Sequence, residues 1–328
     1  MKFTSLQNTL EESAQKYPDK TLLFHRGQSQ TYGQTEAASN TLAATLQNLG
    51  VVKGDRVALV LDNIPEYPIA YYAILKIGAA VVPLCADTRI GSLSRALSHA
   101  EAKAIIVGSN NSALLANCHK TLPALRAVVV VGSPKLDPPK GVQVLEIANI
   151  LEENDSFCRS VSTLDDLASL MYTSGTTAEP KGVMLSHRNL LANTFSIITY
   201  LRLQPKERVG LVLPFFYSYG TSVLLTHVAV GGTIVSLGSM AFPAAVLQGL
   251  QDYQCTGFPG VPSTFARLLH FGAFDQYDLT VLEYITQAGG PMTPALTEKL
   301  QKALPHVRIF VMYGQTEAGP RLSYLPPE

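Results

Sequence analysis

The sequence has no tryptophan and only four cysteines in 328 residues. Cys85, Cys118, Cys158 and Cys255 stand far apart and form no Cys-x-x-Cys pair. That spacing argues against a zinc cluster and against a disulfide framework. It fits small, buried, unpaired thiols in a reducing compartment. Charge is sparse as well, 15% of residues, with 25 basic and 25 acidic side chains cancelling. There is no basic excess to hold nucleic acid and no long run of one sign. The N-terminus is polar and lacks the apolar core of a signal peptide. No apolar run approaches the roughly 20 residues of a membrane span. The expected setting is a soluble protein of the cytoplasm. The apolar fraction is 47%, so much surface is buried, with room for a face that belongs against something outside this chain.

The pattern along the chain alternates short apolar runs with amphipathic stretches. Val57–Leu61, Ala79–Leu84, Ala104–Val107 and Ala127–Val131 read as buried strands. Thr35–Leu49 and Glu66–Ile77 read as helices that stop at Gly50 and Gly78. The same alternation resumes after residue 164 with strands at Val209–Leu213, Thr233–Leu237, Tyr284–Gln287 and Arg308–Met312. Pro134–Gly141 reads as a linker and Asn154–Thr163 as a polar connection. Strands alternating with helices predict an α/β protein, with mostly parallel β-sheets flanked by helices. A first α/β subdomain region is expected over 1–163 and a second over 164–328.

One stretch stands apart, Tyr172 to Leu190. After the apolar run Leu167–Met171 come Thr173, Ser174, Gly175, Thr176 and Thr177, four hydroxyls and a glycine. Such a loop can bring backbone N–H groups and hydroxyls close to an anion with no bulky side chain in the way. Lys181 adds a mobile positive charge. The combination suits a polyphosphate. It is not a Walker A loop, because Lys181 precedes Gly182 and Val183 rather than ending in Lys-Ser/Thr. Nor is it a nucleophile elbow, because Tyr172 stands where the first glycine should be.

Tyr-Thr-Ser-Gly-Thr-Thr-x-x-Pro-Lys-Gly-Val resembles the signature loop of the acyl-adenylate-forming enzymes, the superfamily of acyl-CoA synthetases, carrier-protein adenylation domains and luciferases. Leu75-Lys76-Ile77-Gly78-Ala79-Ala80-Val81-Val82-Pro83-Leu84 resembles a second family element. The resemblance spans essentially the whole chain. It implies two mostly parallel sheets flanked by helices, and ATP plus a carboxylic acid giving acyl-AMP and pyrophosphate.

Three later loops each begin at the C-terminal end of a predicted strand, where ligands bind in open α/β sheets. Phe215 to Gly220 resembles the family's acyl-pocket element. Many acyl-CoA synthetases have His at the position of Tyr217, and amino-acid-activating domains have Asp there to pair with an ammonium. Tyr217 cannot make that ion pair, which implies an acid without an α-amine. Tyr217, Tyr219, Gly220 and Gly314 are candidate acyl contacts, with Gly260 and Gly289 as further glycines that leave room for a chain or ring. Gly289, Gly290 and Pro291 resemble the segment along the adenine. Tyr313-Gly314-Gln315-Thr316-Glu317 resembles the Tyr-Gly-x-Thr-Glu motif. The resemblance implies that Tyr313 stacks on adenine, Thr316 bonds phosphate and Glu317 holds Mg²⁺. Thr173 to Thr177 and Lys181 would take the phosphates. His187, at the start of a predicted helix Ser186–Leu201, could touch the nucleotide, but a structural role is the more ordinary one.

The resemblance implies in-line attack of the acid on the α-phosphate, then transfer to CoA or to the phosphopantetheine thiol of a carrier protein. The expected acid is a medium or long fatty acid, with an aryl acid next. Two other readings compete: an assembly-line module loading an aryl or amino acid on an acyl carrier protein, and a non-catalytic nucleotide- or acyl-binding protein on the same fold. Intact Lys181, Thr316 and Glu317 argue against the second. Neither nucleic acid nor a membrane is an expected partner, and a homodimer is compatible with the sequence. After Glu317 the family continues with a small β-barrel part, a ribose-binding Asp, a hinge and a C-terminal lid domain that brings a catalytic Lys. The chain is therefore expected to be a fragment covering most of the large N-terminal domain, weak or inactive in complete turnover.

Overall fold

The computed structural model describes residues 3–112, 122–134, 141–152, 157, 159–173 and 181–327. The chain divides into two compact units. The first takes Met1–Pro18, Tyr32–Ala192 and Phe215–Tyr217; the second takes Asp19–Thr31, Asn193–Pro214 and Ser218–Glu328.

The first unit is built on a seven-stranded sheet. Its spatial order is Gln143–Glu146, Ala127–Val131, Ala104–Gly108, Arg56–Val60, Ala80–Pro83, Leu167–Thr173, Lys181–Ser186. All neighbours run parallel except the last pair. Val57 lies opposite both Val81 and Ala104, which fixes the register of the central strands. Arg56–Val60, Ala80–Pro83 and Ala104–Gly108 are buried along nearly their whole length. A parallel strand covered on both faces needs no polar alternation, so it reads as a plain apolar run. The helix Glu66–Lys76 buries every residue from Tyr67 to Lys76. Gly78 ends it at φ +76°, letting Gly78 N–H donate to Leu75 O and Ala79 N–H to Ile74 O. One core cluster packs Ile105, Val107, Val128 and Val130 against Leu93 and Leu97 of the helix Ile90–His99.

The second unit carries an eight-stranded sheet. Its order is Ser323–Leu325, Arg308–Tyr313, Tyr284–Gln287, Gly257–Gly260, Arg208–Leu211, Thr233–Ser236, Thr21–His25, Gln28–Thr31. The inner strands are parallel and each end is closed by one antiparallel strand. The hairpin at one edge turns at Arg26 and Gly27, both with positive φ, as a tight two-residue turn demands. Pro294 opens the helix Pro294–Ala303, and the Thr293 hydroxyl accepts from Leu296 N–H. Phe258, Phe265, Leu250 and Ile285 head its core.

The expected α/β architecture of two mostly parallel sheets is what the chain forms. The misses lie mostly at sheet edges, with one inner strand, Gly257–Gly260, whose two glycines and proline gave no strand signal. Lys181–Ser186 is a strand where a loop was expected, and Gln143–Glu146, Ser323–Leu325 and the short helix Ile147–Leu151 were not foreseen. The helix Ser218–Val230 begins directly after Tyr217. Most of the expected linker Pro134–Gly141 and most of the helix expected from Ser112 lie outside the described residues. Among the described residues, no helix is long and apolar enough to cross a membrane.

Candidate active site

In the first unit, the loop that suits a polyphosphate is carried by an antiparallel hairpin. Thr173 pairs with Lys181 and Tyr172 with Gly182, so the loop's two ends are held one strand spacing apart, about 5 Å. Ser174, Gly175, Thr176 and Thr177 lie outside the described residues. Thr173 is half-buried at the strand end and Lys181 is exposed. Gly182 fits because a Cβ there would come 2.8 Å from Leu170 Cδ1. Tyr172 fastens the hairpin to its unit, with its hydroxyl 2.8 Å from His99 Nδ1. Burial pushes that phenol up to about 12.

His187 does not face outward. It is 1% exposed, and its Nδ1 accepts the Leu6 N–H at 3.1 Å. That bond ties the N-terminal segment to the start of the helix His187–Leu201, which supports the structural role. In the same unit Phe215 is buried, donates its N–H to Asn63 Oδ1 at 2.8 Å and packs on Tyr67 with ring centres 5.0 Å apart. Tyr217 is 57% exposed, with its ring centre 4.1 Å from that of Phe216 in a tilted contact.

In the second unit, the strand Arg308–Tyr313 delivers Tyr313 to its C-terminal end with an exposed ring. Gly314 follows, and Thr316–Ala318 forms one 3-10 turn. The Thr316 hydroxyl lies 3.3 Å from the Ser218 hydroxyl, at the first residue of the helix Ser218–Val230. Gln315 and Glu317 are exposed. Leu322 N–H returns to Tyr313 O at 2.8 Å, closing the turn. On the neighbouring strand Tyr284–Gln287, the Gln287 amide donates to Gly290 O at 2.8 Å. Gly289 holds φ +82°, and Gly289, Gly290 and Pro291 present an exposed backbone edge.

Four residues proposed for the acyl pocket, Tyr219, Gly220, Gly260 and Gly314, are buried or have protein atoms close against them. Tyr219 is buried, and its hydroxyl is 2.9 Å from Thr286 O and 2.8 Å from Thr286 Oγ1. Burial raises it to about 12. At Gly314 the space for a Cβ is already filled by the Pro320 carbonyl, and at Gly260 by the Phe265 ring. Gly220 is buried within the first turn of Ser218–Val230. Residue-type reasoning did not single out Ser218, Thr286, Asn193 or Arg321. Asn193 Nδ2 donates to Arg321 O at 2.9 Å, and the Arg321 guanidinium lies 5.0 Å from the Tyr219 ring centre.

A divalent cation would meet one exposed carboxylate here, Glu317. No group of three His, Cys, Asp or Glu side chains converges among the described residues. That donor set fits Mg²⁺, which takes few protein ligands and completes its shell with phosphate oxygens and water.

The two buried histidines give the fold an acid limit. Desolvation lowers both His187 and His227 to about 4. Their folded values lie below the unfolded 6.5, so the unfolded state binds more protons between the two. The stability they contribute is complete above pH 6.5 and is lost as pH falls through 4. Each accounts for about 3 kcal/mol across that window. Urea unfolding at pH 7.5, 5.5 and 4.5 should register a falling midpoint, less steep in His187→Gln. A midpoint flat over that range would contradict the burial of both rings.

Parallel strands with loops at their C-terminal ends make this an α/β protein of the kind that takes ligands at that edge. The profile of the AMP-binding enzyme family matches residues 10–328, and the chain belongs to that family. It is 28% identical over 340 residues to the long-chain-fatty-acid–CoA ligase of Bacillus subtilis strain 168, covering 96% of this chain and 60% of that protein. It is 28% identical to the medium-chain fatty-acid–CoA ligase of Escherichia coli K12, over 96% of this chain and 56% of the relative. The crystal structure of the anthranilate CoA ligase AuaEII with anthranoyl-AMP superposes with a TM-score of 0.90 at 25% identity, over 99% of this chain and 62% of that one. The chain thus spans about three-fifths of the length of these relatives.

Proposed function

We propose that this chain binds ATP and a carboxylic acid and activates the acid as acyl-AMP, within an acid–thiol ligase of the acyl-CoA synthetase type. The observation that carries the reading is the Tyr313–Glu317 edge. An exposed ring, an anchored threonine hydroxyl and an exposed carboxylate follow one another at the C-terminal end of a parallel strand. We assign the nucleotide and acyl chemistry to segments within 164–328.

In this reading one substrate carboxylate oxygen forms a bond to the α-phosphorus as the bond to the bridging oxygen breaks, and pyrophosphate leaves. No protein nucleophile takes part, so the protein supplies position and charge neutralisation. Thr173 to Thr177 offer hydroxyls and N–H groups to the phosphates, and Lys181 neutralises developing charge. Tyr313 gives a face for adenine, beside the Gly289–Gly290–Pro291 edge. The Thr316 hydroxyl, which donates to Ser218 Oγ in the free chain, would turn its proton to phosphate, and Glu317 would hold Mg²⁺, which would supply further charge neutralisation. A thiol then attacks the acyl carbonyl and AMP leaves. The names of the relatives support CoA as acceptor and a fatty acyl group, with an aryl acid as the second class. Tyr217 in place of a carboxylate supports an acid without an α-amine.

The test is acid-dependent ATP–pyrophosphate exchange, run on this chain and on any longer protein containing it, over fatty, aryl and amino acids. Exchange is expected with a fatty or aryl acid. Lys181→Ala and Glu317→Ala should each lower it by roughly 100-fold or more. A folded, ATP-binding protein that exchanges with no acid would leave the non-catalytic binding reading in its place.

A further inference from the structure

Arg321 is a buried cation of the second unit with few partners among the described residues. It is 8% exposed. Its Nη1 donates to the Tyr200 hydroxyl at 3.3 Å, and its Cζ sits 5.0 Å from the Tyr219 ring centre. Nε has no hydrogen-bond partner and no ion pair includes Arg321 among the described residues. A buried guanidinium without a counter-ion is costly, and one ring face and one neutral hydroxyl return only part of that cost.

The spaces beside it lack negative charge. On one side is a groove of ≈ 420 Å³ where Arg321 meets the hydroxyls of Ser196, Thr199 and Ser323 and the apolar surfaces of Phe195, Leu322 and Tyr324. On the other is a cavity of ≈ 10 Å³ beside the helix Ser218–Val230, lined by Thr226, His227, Tyr284 and Thr286. The cavity has about the volume of one water, and the Tyr284 hydroxyl there is also without a partner. Neither lining contains a carboxylate. A few hydroxyls beside one uncompensated cation, in linings that are otherwise apolar, suit an anionic group carried on an apolar chain. The position is equally specific. Arg321 covers Tyr219, the residue after Ser218, whose hydroxyl meets Thr316.

We propose that Arg321 receives a second negative group carried by the acid, so that the substrate is a dicarboxylic acid in place of a plain fatty acid. This rests on the acid-activation reading and narrows its substrate. The guanidinium forms charge-assisted hydrogen bonds to the distal carboxylate while the other carboxylate is adenylated. A plain fatty chain would bring methylenes to the same guanidinium and leave it uncompensated.

Calorimetric titration of this chain decides it, with adipate and hexanoate added in the presence of α,β-methylene ATP. Adipate is expected to bind about tenfold tighter or more. The preference should vanish in Arg321→Met and survive in part in Arg321→Lys. Equal or tighter binding of hexanoate overturns the proposal, and that comparison needs no variant to fold. An adipate preference that persists in folded Arg321→Met also overturns it. So does pyrophosphate binding that requires Arg321 when adipate binding does not, since the guanidinium would then serve the nucleotide. The nucleotide analogue titrated alone scores the activation reading separately. If it binds and hexanoate wins, only the present inference fails. If it does not bind and Arg321 still selects adipate, only the activation reading fails.

Discussion

Gly314→Ala should unseat the Tyr313–Glu317 edge and cost about 3 kcal/mol or more, an unusual loss for one added methyl. A Cβ at Gly314 would lie 1.9 Å from Pro320 O, 2.5 Å from Pro320 C and 2.9 Å from Arg321 N. All three are backbone atoms, so no rotamer change relieves the clash. The backbone they belong to is also tied down. Asn193 holds Arg321 O at 2.9 Å and Leu322 N–H holds Tyr313 O at 2.8 Å. Gly319 fixes the preceding turn at φ +88°. Relief therefore requires moving the turn that orients Thr316 and Glu317. Urea unfolding should report the stability loss, and titration with an ATP analogue should report weakened binding at temperatures where the variant is still folded. Gly91→Ala is the control. It sits exposed in the helix Ile90–His99 with open space around its Cβ position, and alanine favours a helix over glycine. It should be neutral or slightly stabilising. A Gly314→Ala midpoint equal to that of the control would mean that the turn yields easily and the close approach is not a constraint.

Gly314 also marks where sequence reasoning ran out. The motif made it visible, and its smallness suggested room for substrate. The structure gives another reason for the glycine, the approach of Pro320. Most parallel strands were legible because burial on both faces removes polar alternation, as in Ala104–Gly108 and Ala127–Val131, whereas Gly257–Gly260, just as buried, was hidden by its two glycines and proline. Edge strands gave no such signal. Gln143–Glu146 is partly solvated and Ser323–Leu325 wholly exposed, so neither needs an apolar run. Lys181–Ser186 was hidden by its charged and glycine start, since pairing with Leu167–Thr173 does not depend on an apolar face. The site divides the same way. Residues contiguous in a motif, such as Tyr313 to Glu317, could be named from the sequence. Ser218 and Arg321 could not, because their contacts bridge 98 and 121 residues. Tyr219 was named from its loop, but the bond that holds its hydroxyl reaches Thr286, 67 residues away.

The second large effect is expected far from the motifs, at Lys76. It ends the helix Glu66–Lys76 fully buried, with Nζ 2.6 Å from Glu36 Oε1 and 2.5 Å from Asn40 Oδ1. Burial lowers its affinity for a proton, and Glu36 opposes that shift. Its position at the helix C-terminus adds a favourable dipole. Removing one partner of a buried pair leaves the other charge uncompensated, at about 3–5 kcal/mol. The two partners are unequal, however, because Lys76 is 0% exposed and Glu36 is 21% exposed. Glu36→Leu strands an ammonium that water cannot reach and should show the full loss. Lys76→Met strands a carboxylate whose Oε2 is buried without a partner although the side chain is partly exposed, and methionine refills the stem's volume, so a loss at the lower end of that range, about 3 kcal/mol, is expected. The double variant should be more stable than the sum of the two, with a coupling of about 1–3 kcal/mol. The pH dependence provides a second check. The folded Lys76 titrates below the unfolded 10.5, so between those values the unfolded state binds more protons and stability rises with pH. Glu36→Leu removes the group that opposes the shift, which widens that window. Its deficit relative to the wild type should narrow from pH 7 to pH 9.5, whereas the Lys76→Met deficit should show no such recovery. A larger loss in Lys76→Met than in Glu36→Leu, or strict additivity of the two, would mean that the ammonium does not depend on Glu36.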